Sequence, residues 1–215
     1  SEAAEMVGRD RTTLARAEAE TGVELPARNP DNNRRVGYTL EQVQAFRRHF
    51  GTLPWRDAAS GDQPIVVACQ NFKGGVGKST TCVNLAAAFA TMKYPVLLVD
   101  LDPQGNATTG CGIDPRRLHV SACEVLLGER AIEETLLHPE GLGFDLLPAN
   151  GDLTAAEVTL LQQDGREFAL KRALQPLAAR YAWILIDCPP SLNMLTLNAL
   201  AAADSVLIPV QCEYY

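Results

Sequence analysis

The 215-residue sequence contains no C-x-x-C pair. Its six cysteines (69, 82, 111, 123, 188 and 212) are scattered, and Cys69, Cys82 and Cys188 lie in apolar surroundings. That pattern reads as reduced, buried thiols rather than a disulfide framework or a metal cluster. The three histidines, at 49, 119 and 138, are too far apart to form a ligand-spaced set, so no zinc site is expected. No uninterrupted apolar run reaches the roughly 18 residues a membrane helix needs, and no signal-peptide pattern or low-complexity tract occurs. The expectation is a cytoplasmic chain with no membrane partner. Positive charge is short as well. The net formal charge is −7, so any nucleic-acid contact has to come from a local patch. The length allows one or two domains with a sizeable core. Both ends read as cut: the chain starts inside a helical stretch, Ser1-Glu2-Ala3-Ala4, and stops at Tyr215 just after a strand.

What is present is organised around Phe72-Lys73-Gly74-Gly75-Val76-Gly77-Lys78-Ser79-Thr80. An apolar run, Ile65-Val66-Val67-Ala68-Cys69, precedes it, and a helical pattern over 79–92 follows. Strand, glycine-rich loop and helix together form a polyphosphate cradle. Glycines let backbone N–H groups turn inward, and the helix adds its positive N-terminal end. In such a loop Gly74, Gly75, Val76, Gly77, Lys78, Ser79 and Thr80 wrap the phosphates, Lys78 reaches the β/γ-phosphates and the Ser79 hydroxyl ligates Mg²⁺. The generic G-x-x-x-x-G-K-[ST] pattern asks for glycine at position 72. The sequence has Phe72 there, and a second lysine, Lys73, stands before the glycines. This K-G-G-x-G-K-[ST] form resembles the deviant Walker A loop of the ParA/MinD class of ATPases.

From residue 64 onward, apolar runs alternate with helical patterns. This argues for an α/β fold, a parallel sheet wrapped by helices. Strands are expected at 65–70, 96–100, 144–147, 183–187 and 206–210, and helices at 153–163, 168–180 and 191–203. Ser121-x-x-Glu124 and Thr154-x-x-Glu157 have capping-box spacing. The chemistry falls at the carboxyl ends of the strands, where ligands bind in such sheets. Val96-Leu97-Leu98-Val99-Asp100 runs into Leu101-Asp102-Pro103-Gln104-Gly105-Asn106-Ala107-Thr108, a stretch that resembles the partition branch of the family. The resemblance implies that Asp102 positions or polarises the attacking water and that Asp100 supports the Mg²⁺ shell. Trp183-Ile184-Leu185-Ile186-Asp187 followed by Cys188-Pro189-Pro190-Ser191 has the Walker B pattern, in which Asp187 holds Mg²⁺ through a water opposite Ser79. The two prolines force a stiff turn, which in the family senses the γ-phosphate. The final Pro209-Val210-Gln211-Cys212-Glu213-Tyr214-Tyr215 is similar to the same branch, and the α/β unit reads as C-terminally truncated.

Residues 1–50 read as a small helical module and 51–63, with Pro54 and Gly61, as a linker. A short helix stops at Gly8. Asp10 caps a second helix over 11–20 that ends at Gly22, and Thr39-x-x-Gln42 opens a third. Arg34-Arg35-Val36 reads as the returning strand of a hairpin. The layout resembles the winged helix-turn-helix of the MerR-like group. Between 28 and 56, six arginines (28, 34, 35, 47, 48 and 56) face only Asp31 and Glu41, a local excess of +4. If this face binds DNA, Thr12, Thr13 and Arg16 meet the groove and Arg34 and Arg35 sit on the wing. The alternative is a solvated arginine face used for dimer contacts.

The resemblance implies a partition ATPase using ATP and Mg²⁺ and working as a nucleotide-switched homodimer in which Lys73 reaches the partner's phosphates. It further implies nonspecific DNA binding by the ATP dimer, hence nucleoid association, and slow hydrolysis stimulated by a ParB-like centromere-binding protein. Three alternatives remain at this point: a MinD-like positioning ATPase, an ATP-gated transcriptional regulator, and a small-molecule ligase or reductase on the same fold.

Overall fold

The computed structural model describes residues 2–23, 28–30, 32–33, 37–52, 63–92 and 94–212. Five strands build one wholly parallel sheet: β1 (Ile65–Cys69), β2 (Val96–Asp100), β3 (Asp145–Leu147), β4 (Trp183–Asp187) and β5 (Ser205–Leu207), in the spatial order β3-β2-β4-β1-β5. Parallel neighbours need crossovers, and helices supply them. Strand side chains alternate between two cores. Val96 and Leu98 face the core completed by α4 (Lys78–Thr91) and α5 (Asn106–Gly110), whereas Leu97 and Val99 face the other. That second core is closed by α6 (Ala122–Leu127), α7 (Leu153–Leu160), α8 (Ala169–Leu174) and α9 (Met194–Ala202). With both faces covered, β2 is buried along its whole length, and each buried leucine contributes about 2 kcal/mol. Helix α4 presents Cys82, Ala86 and Ala90 to the sheet, small side chains that allow close approach.

The expected strands all form, β2 and β4 with the expected bounds and β1 and β3 one residue shorter. The last stops at Leu207 rather than 210, because the Pro209 carbonyl turns aside to accept a hydrogen bond from the Asn71 amide at 2.8 Å. The helix expected over 168–180 is broken into α8 flanked by 3-10 turns at Arg166–Phe168 and Gln175–Leu177, since Pro176 cannot donate the next helical bond. The helix expected over 191–203 starts at Met194, where Asn193 caps it through the Thr196 N–H. Capping boxes form at Thr39 and Ser121. The one expected at Thr154 does not: α7 already starts at Leu153, and Glu157 bonds elsewhere.

Ahead of the sheet lie α1 (Glu2–Val7), α2 (Arg11–Thr21) and α3 (Leu40–Phe50). Their buried residues, among them Val7, Leu14, Ala17, Val43 and Phe46, form a third cluster that shares no residue with the two sheet cores. Most of the expected linker lies outside the described residues, as do Arg34, Arg35, Tyr214 and Tyr215. No helix among the described residues is long and apolar enough to cross a membrane.

Candidate nucleotide site

The loop between β1 and α4 ends on Gly77, the N-cap of α4, whose φ of 88° lies in the left-handed region that side chains disfavour. A Cβ added there would meet no atom within 4 Å, so the ground beside the loop is open and the constraint is the backbone itself. Lys78 opens α4 and is only 7% exposed; its ammonium donates to the Lys73 carbonyl at 3.3 Å. Ser79 and Thr80 complete the first turn and line the cleft with Gly74, Gly75 and Gly77. Val76 is buried. Lys73 is exposed, and its backbone N–H donates to the Asn71 side-chain oxygen at 2.9 Å.

The end of β2 supplies two carboxylates with different tasks. Asp100 is fully buried, and its oxygens accept from the Thr108 N–H and hydroxyl, both at 2.8 Å, and from the Asp102 N–H at 3.1 Å. Those bonds make it an anchor of the 101–108 loop. Burial above all raises its pKa to about 6, against the pull of the Thr108 bonds. Asp102 stands at the cleft wall, 6% exposed, and accepts from the Gln104 N–H at 3.0 Å.

Asp187, at the end of β4, is completely buried, and neither carboxylate oxygen completes a hydrogen bond. Burial first, and the Asp100 charge second, push its pKa up to about 7. The Ser79 hydroxyl and the Lys78 ammonium pull the other way, the hydroxyl at a geometry short of a full hydrogen bond. Asp187 thus feels the negative charges of Asp100 and Asp102 as well as the positive charge of Lys78. Unpaired carboxylate oxygens in so acidic a pocket call for a cation. The fit is to Mg²⁺ held by few protein ligands and completed by water and phosphate. Among the described residues no group of three His, Cys, Asp or Glu side chains is placed to hold a metal ion by itself.

These loops enclose a cleft of about 720 Å³. Asn84, Gln104, Asn106, Gly110 and Pro190 also line it. Sequence reasoning did not single out Asn84 or assign a role to Gln104 and Asn106, because polar residues on a helix face or in a loop carry no spacing signature of their own. Nor did it find the braces behind the loop. The Gln211 amide donates to the Gly75 carbonyl at 3.0 Å, and Asn71 ties the loop to Pro209.

The candidate DNA residues fare unevenly. Thr12 and Arg16 are exposed on α2. Thr13 is half-buried and its hydroxyl donates to the Asp10 carboxylate at 2.7 Å, which, with the Thr12 and Thr13 N–H groups, holds Asp10 below its ordinary pKa. Arg47 leaves the expected basic face: it is 2% exposed and donates to the Thr52 carbonyl, and burial lowers its pKa. Arg28 and Arg48 remain exposed, while Arg34, Arg35 and Arg56 lie outside the described residues.

A parallel sheet with a glycine-rich loop and buried lysine after the first strand, and aspartates after two others, defines a P-loop nucleoside triphosphatase fold. Residues 65–215 match the family described as an AAA domain, and the chain belongs to that family, the ParA/Soj-type P-loop ATPases. It is similar to the chromosome partitioning protein ParA of Myxococcus xanthus, 58% identical over 151 residues, 70% of this chain and 53% of that protein. It is similar also to the sporulation initiation inhibitor protein Soj of Bacillus subtilis, 47% identical over 150 residues, 70% of this chain and 59% of the relative. Among solved structures, the cobyrinic acid a,c-diamide synthase of Mycobacterium smegmatis with bound ATP analogue and magnesium superposes with a TM-score of 0.69 at 50% identity, covering 70% of this chain and 62% of that one. The chain thus spans little more than half the length of the curated relatives it matches.

Proposed function

We propose that this protein is the ATPase of a DNA partition system, switched between states by MgATP and hydrolysis. The observation that carries the reading is the cleft itself, in which the loops after β1 and β2 and the turn after β4 meet over a buried Asp187 with no bonded partner. Partition proteins among its relatives support the same assignment. The loop N–H groups and the start of α4 bind the triphosphate, and Lys78 exchanges the Lys73 carbonyl for phosphate oxygen. Ser79 and Asp187, the latter through water, would hold Mg²⁺, and the ion would supply neutralisation of phosphate charge. Asp102, at the cleft wall, orients a water in line with the γ-phosphate. Lys73, exposed beside the cleft, serves the nucleotide of a second protomer, since facing triphosphates require extra cations.

The remaining assignments follow from this reading. The ATP dimer binds DNA without sequence preference and associates with the nucleoid. A ParB-like partner stimulates slow intrinsic hydrolysis; a trans arginine at such sites is worth about 10³–10⁵ in rate. Residues 1–50 form a winged helix-turn-helix domain for operator recognition, and residues 64–215 form the ATPase domain. Lys73→Gln tests the switch. Expected is nucleotide affinity within about threefold of wild type but no ATP-dependent dimer in sedimentation; an unchanged dimer removes the trans role. Asp102→Ala is expected to trap the ATP dimer, with turnover down at least about a hundredfold in a phosphate-release assay.

A second reading has one observation in its favour, the similarity to the M. smegmatis structure described as a diamide synthase. Turnover that requires cobyrinic acid and an ammonia source, rather than DNA and a ParB-like protein, decides for it.

A further inference from the structure

We infer that Glu157, on α7, is a positioning residue that couples the turn after β4 to α7, so that the nucleotide state of the cleft is relayed to that helix. The inference rests on the ATPase reading above. The turn begins directly after Asp187 and places Pro190 in the cleft wall. It is held from three sides. The Cys188 N–H donates to the Cys69 carbonyl at 3.3 Å, and the Gln70 amide reaches the Ser191 carbonyl at 3.5 Å, both from the end of β1. From α9, the Thr196 hydroxyl donates to the same Ser191 carbonyl at 2.6 Å. The third side is Glu157. One carboxylate oxygen accepts from the Asn193 amide at 3.1 Å, and the other from the Met194 N–H at 3.4 Å.

Asn193 is at the same time the N-cap of α9, its oxygen accepting from the Thr196 N–H at 3.0 Å. Glu157 thus grips both the capping side chain and an orphan N–H of the first turn. It also places a negative charge at the positive end of α9. Any displacement of the turn that re-aims the α9 N-terminus has to carry Glu157 with it or break two bonds to a charged acceptor. Local spacing offers Glu157 a different task, closing a capping box with Thr154, and the fold does not use it. A local preference set aside for a contact 36 residues away marks a side chain recruited for its tertiary role.

Hydrogen–deuterium exchange on the full-length protein, with and without a nonhydrolysable ATP analogue and Mg²⁺, tests this. In wild type, nucleotide is expected to change exchange in peptides covering 188–196 and also 153–161. In Glu157→Ala the change at 188–196 persists, analogue affinity stays within about threefold of wild type, and the response at 153–161 falls by about fivefold or more. Glu157→Gln folds as an isosteric control; with one acceptor left, it retains an intermediate response. Analogue binding with an undiminished α7 response in both variants, or a wild-type α7 that never responds, overturns the inference alone. Failure of wild type to bind the analogue overturns the ATPase reading and this inference with it.

Discussion

Asp187 shows what burying a carboxylate does to stability. Folded, it keeps its proton up to about pH 7, whereas its ordinary pKa is 3.8. Between these values the folded chain binds more protons than the unfolded one, so stability is full below about pH 4 and falls as pH rises through about 7. Asp100, raised to about 6, acts in the same direction. Asp187→Asn removes the buried charge and keeps the shape. Without nucleotide it is expected to raise unfolding stability by about 2–4 kcal/mol above pH 7, with the gain shrinking towards pH 4. The same variant is expected to lose the thermal shift that Mg²⁺ and an ATP analogue give wild type. Thermal melts at several pH values, with and without Mg²⁺, check both. A variant less stable than wild type at pH 8 would mean the site favours the ionised carboxylate even without metal.

At the scale of elements, local chemistry decided some helix starts and tertiary contacts decided others. Thr39 and Ser121 cap as their spacing predicts because the residues of each box lie three apart on one turn, even though the Ser121 hydroxyl also donates to Asn150. Glu157 fails the same rule because α9 competes and wins. The 101–108 segment depends on Gly105, the N-cap of α5, with φ of 62°. A Cβ there would stand 2.6 Å from the Pro115 ring and 3.4 Å from the Ala149 carbonyl. Gly105→Ala is therefore expected to cost about 2–4 kcal/mol, combining left-handed strain with overpacking. Because the segment carries Asp102, turnover is expected to fall more than nucleotide affinity. Denaturant unfolding and a comparison of kcat with analogue Kd measure the two effects; equal losses in both would show that the cleft as a whole, not the Asp102 loop, is displaced.

At the scale of the molecule, the α1–α3 cluster and the two sheet cores share no buried residue. The proposed function gives each unit its own DNA-binding mode. Arg16, exposed on the Asp10-capped helix, then belongs to an ATP-independent mode. Arg16→Ala is expected to weaken DNA binding in the absence of nucleotide and to reduce the log–log salt slope by about one. MgATP affinity is expected to stay unchanged. Fluorescence anisotropy across a salt series reads the slope, and an unaltered slope takes Arg16 off the DNA face. Arg47 is buried, whereas Arg16, Arg28 and Arg48 are exposed.

The sequence by itself determined the parallel α/β class, the glycine-rich loop and the aspartates that end β2 and β4. These are short-range patterns: an apolar run long enough for a buried strand, then residues whose backbone or charge suits phosphate. Only the tertiary structure decided that Asp100 anchors a loop, that Arg47 is buried, that Gln211 braces the Gly75 peptide, and that Glu157 holds the start of α9. The physical reason is the same in each case. A polar side chain has several possible partners along its own segment, and the partner it takes depends on which distant backbone group the packed fold leaves unsatisfied within reach.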